Sequence, residues 1–322
     1  MSESKTKARR LRELLRDARP VVSPGIYDGY SARLVQKMGF KTAATTGAGL
    51  TNSLIVQPDI GIFGLRDNVD ACRHLARSVD IPLTADADTG YGNAVTVYHV
   101  VQYFEEAGIV GVNIEDQVMP KRCGHMRGKE LISISEMTKK IEAGLKAKKD
   151  QDFIINARTD AIAVEDIAGT VKRVKAYSKA GADMIYVDAI RGEDDIARAV
   201  EAAGDTPVNI NMGFFIRQRP TSPLLPLKRL KELGVARVSS PRMLTSAAIS
   251  GMRKALEVMQ QCMITGELAD RPDLTASMEE ITELFDYEKI AALETAFSVE
   301  EDLERKYRDK ERSYVVRSGT KQ

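Results

Sequence analysis

The chain has 322 residues, with 47 Lys and Arg against 46 Asp and Glu and a formal net charge of +1. That balance excludes the basic footprint of a nucleic-acid binder, and no apolar run approaches the roughly 20 residues that cross a bilayer. At 43% hydrophobic and 29% charged residues, the composition is that of a soluble globular protein with ample core, in one large domain or two ordinary ones.

The opening segment, MSESKTKARRLRELLRD, is basic but carries Glu3, Glu13 and Asp17. It has neither the apolar centre of a secretory signal nor the acid-poor character of a transit peptide. Leu11, Leu14 and Leu15 share one face, which predicts an amphipathic helix from Lys5 to Asp17, capping the floor of the domain that follows. Cys72, Cys123 and Cys262 are too few and too scattered for a disulfide framework or a zinc knuckle. They fit a reducing compartment, and the cytoplasm is the expected location.

Eight short apolar or β-branched runs then recur: 21–24, 42–46, 82–86, 111–115, 153–157, 184–188, 208–211 and 236–239. Between most of them lies a segment of helical period, such as 95–107 or 167–180. Gly39, Gly108, Gly181 and Gly234 stand where helices should end and strands begin. Strands alternating with helices imply parallel pairing, and eight units fit a closed (β/α)8 TIM-type barrel better than an open sheet. No Gly-x-Gly-x-x-Gly follows the first run, which counts against a dinucleotide-binding fold. After Ser250 only helices are expected, at 251–262, 274–284 and 287–297, with a highly charged, frayed end over 298–322. The apolar Ile281, Leu284, Ile290 and Leu293 suit packing on the parent barrel or on a neighbouring subunit. The expected organisation is an N-terminal helix (1–19), a barrel (20–255), and a C-terminal helical arm with its tail (256–322).

In such a barrel chemistry collects at the C-terminal ends of the strands, and the polar residues do gather there. Asp86 and Asp88, two apart on a strand, should share one face, with Glu115 converging from the next strand. Three carboxylates without a nearby His suit a hard cation that keeps water, Mg²⁺ before zinc. The alternative is that these acids cap helices and pair with Lys or Arg. Arg158, leaving strand five, has the planar fork to hold a carboxylate or phosphate, or to pair with Glu115 or Asp188; the two roles are compatible. Lys121-Arg122-Cys123-Gly124-His125 follows strand four in a loop with Pro120. Cations around one thiol should lower its pKa and permit proton exchange near neutral pH. Cys72 and Cys262, in helical patterns, and the motif-free His74 and His99 are assigned no role.

These stretches together resemble the isocitrate lyase / phosphoenolpyruvate mutase superfamily. The matching residues are Asp86-Ala87-Asp88-Thr89-Gly90-Tyr91-Gly92, Ile114-Glu115-Asp116-Gln117, the Lys121–His125 run and Ala157-Arg158-Thr159-Asp160. Pro24 to Gly29 and Thr46-Gly47-Ala48-Gly49 support them, in order, between about Leu11 and Met252. The Lys-Arg-Cys-Gly-His run is characteristic of the carbon–carbon lyase branch, and the length is nearer the methylisocitrate and 2,3-dimethylmalate lyases than isocitrate lyases proper.

The resemblance implies an α/β barrel binding Mg²⁺ (or Mn²⁺) through Asp86, Asp88 and Glu115, the last directly or through water. It implies homotetramers that swap C-terminal helices. Thr46, Gly47 and Ala48 would contact the α-keto acid portion of the substrate, Arg158 would clamp a carboxylate, and Cys123 would donate a proton from a mobile loop. Gly124, His125 and Asn211 would complete the pocket. Three departures stand out: Asp188 where family lyases commonly have Glu, Phe214 where a Glu usually follows Asn211, and an unusual 215–220 stretch.

The expectation is a Mg²⁺-dependent lyase that splits a 2-hydroxy di- or tricarboxylate into an α-keto acid, such as pyruvate, and a second carboxylic acid. The rivals are an oxaloacetate hydrolase or decarboxylase, disfavoured by Pro241 where hydrolases tend to place Ser, and a phosphonate-forming mutase, which leaves Cys123 without a task. A barrel that binds a dicarboxylate without turning it over is the rival of another class.

Overall fold

A computed structural model describes residues 5–17, 19–124, 126–213 and 224–307. Eight strands, β1 (Val21–Ile26), β2 (Ala43–Thr45), β3 (Leu83–Asp86), β4 (Gly111–Glu115), β5 (Ile154–Thr159), β6 (Met184–Val187), β7 (Val208–Asn211) and β8 (Arg237–Ser240), pair in sequence order and close into a barrel. Every pairing is parallel, and closure runs through Val21 opposite Arg237 and Pro24 opposite Ser240. All of β5 and β6 is buried, as strands covered on both faces must be. This is the (β/α)8 barrel that the alternating periods predict.

Local chemistry sets the helix limits. Asp28 caps the helix Gly29–Lys37 in a reciprocal box with Ser31, and Asn93 and Ser133 accept from first-turn amides of Ala94–Glu106 and Ile134–Ala147. Gly108 and Gly181, just past the helices Ala94–Glu106 and Asp166–Lys179, take φ of 88° and 91°, which a side chain would resist.

The N-terminal helix, Lys7–Asp17, buries Ala8, Leu11 and Leu15 against Val21, Val110, Ile154 and Met184, residues at the start of the barrel strands or just before them. Leu11 is fully buried, a contribution of about 2 kcal/mol. Arg12 ties the helix down by donating to the Asp152 carbonyl at 2.9 Å and Asp183 Oδ1 at 2.7 Å. The expected floor cap is therefore present. Within the barrel, Arg237 is 1% exposed with no ion-pair partner among the described residues; it donates to Ser23 Oγ and Thr84 Oγ1, both at 2.7 Å, and burial lowers its pKa to about 10.

Several limits differ from the sequence expectation. β5 runs on through Thr159, so Arg158 lies within the strand and opposite Glu115. β3 stops at Asp86, and Asp88 lies beyond it at φ 47°. The helix expected at 251–262 spans Met243–Thr265, because Gly251 is carried inside it rather than opening it. This helix runs through residue 255, and the two compact units of the chain are residues 1–269 and 270–322. In the second unit a 3₁₀ turn, Pro272–Leu274, precedes Met278–Leu284, whose start is fixed by Ser277 and Glu280 capping each other. Tyr287–Phe297 is a helix as expected, and Glu300–Tyr307 is a helix where fraying was expected, its first turn carrying three acids that suit the helix dipole. No helix among the described residues is long and apolar enough to cross a membrane.

Candidate active site

Asp86, the last residue of β3, is held on every side. Its Oδ2 accepts from the Gly47 amide at 3.3 Å and its Oδ1 from the Asp88 amide at 3.2 Å, while its own amide donates to Thr45 Oγ1. A Cβ on Gly47 would lie 2.7 Å from Asp86 Oδ2, so only glycine permits the approach. Asp88 reaches the same region through its left-handed backbone, not through the alternation of a strand. Such a conformation is tolerated by Asp at a modest cost and clusters at functional sites.

The acids here are short of partners. Glu115 is 1% exposed, and neither of its carboxylate oxygens makes a hydrogen bond, although Arg158 Nε lies 3.1 Å from Oε2. Asp88 Oδ1 lacks a well-angled hydrogen bond too, with Lys121 Nζ at 2.8 Å. Burial pushes Glu115 well above the usual carboxylate range, against the pull of Arg158. Burial likewise lifts Asp88 to about 6, with Lys121 opposing. A set of hard oxygen donors with orphaned buried atoms fits a divalent cation. Among the described residues no cluster of three or more His, Cys, Asp or Glu has closed into a metal cage. In this conformation Lys121, bonded to Asp59 and flanking Asp88, supplies the positive charge. Asp88 is thus paired with Lys121, and Glu115 lies in ion-pair range of Arg158.

Arg158 is ringed by carboxylates. Nε and Nη2 grip Asp160 at 2.9 and 3.0 Å, Nη2 also reaches Asp188 Oδ2 at 2.8 Å, and Tyr186 stacks under the guanidinium at 5.2 Å. Burial alone would disfavour the charge on Arg158, but Asp160, Asp188 and Glu115 outweigh it and raise the pKa. Burial would likewise raise Asp160, yet Arg158 and Lys129 hold it at about 2. Asp188 also accepts from Asn211 Nδ2 at 2.9 Å and Tyr186 OH at 3.1 Å. The shorter acid at this position is fully engaged.

The thiol loop lies down over this network. The Cys123 amide donates to the Asp59 carbonyl at 3.2 Å, Gln117 exchanges two hydrogen bonds with the backbone of Arg122, and Lys129 Nζ donates to the Gly124 carbonyl at 2.6 Å. Gly124 is pressed so close to Asp188 that a Cβ would fall 1.9 Å from Oδ2. Lys121 turns to Asp59 and Asp88. Among the described residues, the cation that does reach the thiol is Arg242, whose Nη2 donates to Sγ at 3.1 Å.

A cavity of about 60 Å³ remains, lined by Thr46, Ala48, Asp86, Cys123, Arg158 and Asn211 among others, with Gly124 and Asp188 in its wall. Gly47 and Asp88 reach it through Asp86, and Glu115 through Arg158. His125 and the departures over residues 214–220 lie outside the described residues. Asp59, Tyr186 and Arg242, which also line the cavity, were not singled out from the sequence. For Arg242 a signal existed: it stands two residues past β8, on the rim where strand ends deliver side chains. Cys72 is fully buried in the core, with its thiol pKa raised to about 12 by burial, and does not line the cavity.

A closed parallel barrel with carboxylates, a clamped arginine and a loop thiol converging at the strand ends defines an enzyme of the α/β-barrel class acting on small anions. The profile of the phosphoenolpyruvate phosphomutase family matches residues 11–260, and the chain belongs to that family, within the PEP mutase/isocitrate lyase superfamily. The chain is 35% identical to 2,3-dimethylmalate lyase of Eubacterium barkeri over 89% of its length and 96% of that protein. It is also 35% identical to 2-methylisocitrate lyase of Aeropyrum pernix, over 87% and 88%. An oxaloacetate acetylhydrolase bound to 3,3-difluorooxalacetate superposes with a TM-score of 0.81 at 30% identity, covering 90% of this chain and 97% of that one. A phosphonopyruvate hydrolase in complex with oxalate and Mg²⁺ gives 0.79 at 30% identity, covering 91% and 99%.

Proposed function

We propose that this protein is a carbon–carbon lyase that cleaves a 2-hydroxy dicarboxylate or tricarboxylate of the 2,3-dimethylmalate or 2-methylisocitrate type. The observation that carries the proposal is the convergence of Cys123, Arg158 and Asp86 on one cavity under a loop that closes it. Asp86, Asp88 and Glu115 would hold Mg²⁺ or Mn²⁺, which supplies Lewis-acid stabilisation of the developing oxyanion when bound.

The chain's own groups do the rest. A cavity of about 60 Å³ is well under the roughly 150 Å³ that admits benzene, so substrate enters with the 117–129 loop lifted. Arg158, held rigid by Asp160 and Asp188, orients a carboxylate with Thr46, Gly47, Ala48, Asn211 and Gly124 around it. The C2 hydroxyl gives its proton to a site carboxylate, its O–H electrons form the keto carbonyl, and the C2–C3 bond breaks with its electron pair left on C3. Cys123 then donates its S–H proton to C3, and the abstracted proton returns to the thiolate as the loop reopens. The products are an α-keto acid and a second carboxylic acid.

The test is Cys123→Ser: α-keto acid release from a panel of alkylmalates, scored with a carbonyl reagent, should vanish while oxalate binding persists. Retained turnover would remove the thiol from the mechanism. A second reading, hydrolysis of oxaloacetate, draws on the superposition with the acetylhydrolase. Pro241 in the cavity wall, where a Ser would be expected for that reaction, favours the lyase, and an oxaloacetate arm of the same assay decides. No product from any acid would leave a non-catalytic binder.

The same proposal extends to assembly and location. Ile249, Met252, Leu256, Met259 and Met263 form an exposed stripe along Met243–Thr265, with the 3–4 spacing of a helix-packing seam. A homotetramer through exchanged C-terminal helices would cover it. Three free thiols suit a reducing cytoplasm.

A further inference from the structure

Among the described residues, most buried cations at this end of the barrel are paired with acids. Lys121 pairs with Asp59 and Asp88, Lys129 with Asp160, Arg158 with Glu115, Asp160 and Asp188, and Arg173 with Asp116 and Glu165. Arg242 lines the same cavity, is half-buried, and has no carboxylate partner among the described residues. Its only side-chain hydrogen bond there is Nη2 to Cys123 Sγ at 3.1 Å, which leaves Nε and Nη1 without a partner among those residues.

An unpaired guanidinium facing a cavity is a carboxylate site in waiting, since its fork matches two carboxylate oxygens. Arg158 cannot serve both ends of a dicarboxylate, because Asp160 and Asp188 already occupy its Nε and Nη2. We propose that Arg242 binds the second carboxylate of the substrate, the one attached to the carbon that receives the proton from Cys123. The geometry requires no rearrangement of this pair. A sulfur close enough to protonate C3 sets the carboxylate one bond away within reach of a guanidinium that touches that sulfur. When the C2–C3 bond breaks, the electron pair on C3 delocalises into this carboxylate, and the cation stabilises the added negative charge. Arg242 is thus a specificity-determining residue, selecting acids with a carboxylate on C3 over those with a neutral group there.

The inference rests on the lyase reading for the identity of the ligand, so its test has an arm that needs no turnover. Iodoacetate and iodoacetamide alkylate a thiol alike except that one carries a carboxylate. Their relative rates at Cys123 are read by peptide mass spectrometry, with Cys262 as internal control. In the unaltered protein the iodoacetate preference at Cys123 should exceed that at Cys262 by roughly tenfold, the scale of one charge-assisted hydrogen bond. Arg242→Met and Arg242→Gln should both erase it, and Arg242→Lys should keep most of it. In parallel, kcat/KM for the best alkylmalate should fall about 100-fold in the Met and Gln variants. An unchanged iodoacetate preference in both variants overturns the inference, whatever the enzyme does. Loss of the preference in a protein that releases no α-keto acid from any alkylmalate supports Arg242 as the carboxylate site and overturns the lyase reading instead.

Discussion

Gly124 and Asp188 meet so closely that residue 124 has no room for a side chain: its Cβ would stand 1.9 Å from Asp188 Oδ2. Asp188 in turn holds Arg158 at 2.8 Å, so the backbone of the thiol loop rests on the clamp that orients the substrate. Gly124→Ala should therefore keep the barrel intact and unseat the loop. We expect the thermal midpoint to move by about 2 °C or less, because the loop is peripheral to the core, while turnover falls roughly 100-fold, the usual effect of about 1 Å of misplacement. A scanning calorimetry trace paired with the keto-acid assay checks both, and full activity in the variant would show that the loop seats without this contact.

Lys121 offers a test of the charge balance behind the site. Its ammonium lies against Asp59 and Asp88, both under a tenth exposed, and those acids together with Glu115 and Asp86 raise its pKa in spite of burial. Lys121→Met would strand two buried carboxylates, and losing one partner of such a pair costs about 3 kcal/mol. Urea denaturation in the presence of a chelator should record that loss, and a difference under about 1 kcal/mol would mean the acids protonate at no cost.

Acid should weaken the fold through Asp160. The folded-state pKa is about 2 against an ordinary 3.8, so its contribution is complete above 3.8 and is lost as pH falls through 2. The difference corresponds to about 2 kcal/mol. Denaturation midpoints taken from about pH 5 to pH 2 should fall more steeply in the unaltered protein than in Asp160→Asn, which cannot titrate there. Parallel curves would locate the acid sensitivity elsewhere.

The barrel was legible because its evidence is periodic: apolar runs alternate with helical segments eight times, glycine marks the end of several helices, and a single misjudged limit does not disturb the count. Arg158 and Cys123 were legible because motifs surround them. What sequence spacing could not supply was the partner across the barrel. The cations next to Cys123 in the chain suggested an activated thiol, yet Lys121 turns to Asp59 and Asp88 while Arg242, 119 residues away, makes the contact with sulfur. Asp88 was placed on the right end of the barrel for an incomplete reason, since the alternation of a strand was assumed where a left-handed residue redirects the chain. The long helix through Gly251 escaped because a lone glycine resembles a boundary until the packing around it is known.

The thiol loop is moored to widely spaced staves of the barrel: to Asp59 beyond β2, to Gln117 after β4, to Asp160 after β5 through Lys129, and to Arg242 after β8. A keystone loaded from several sides reports the shape of the whole ring. Small displacements of distant strands converge at one sulfur atom, so substitutions on opposite sides of the rim should compound or cancel there rather than add. Catalytic alignment in this barrel should then decay before its cooperative unfolding begins, and drift among its relatives should be tightest where the moorings are tied.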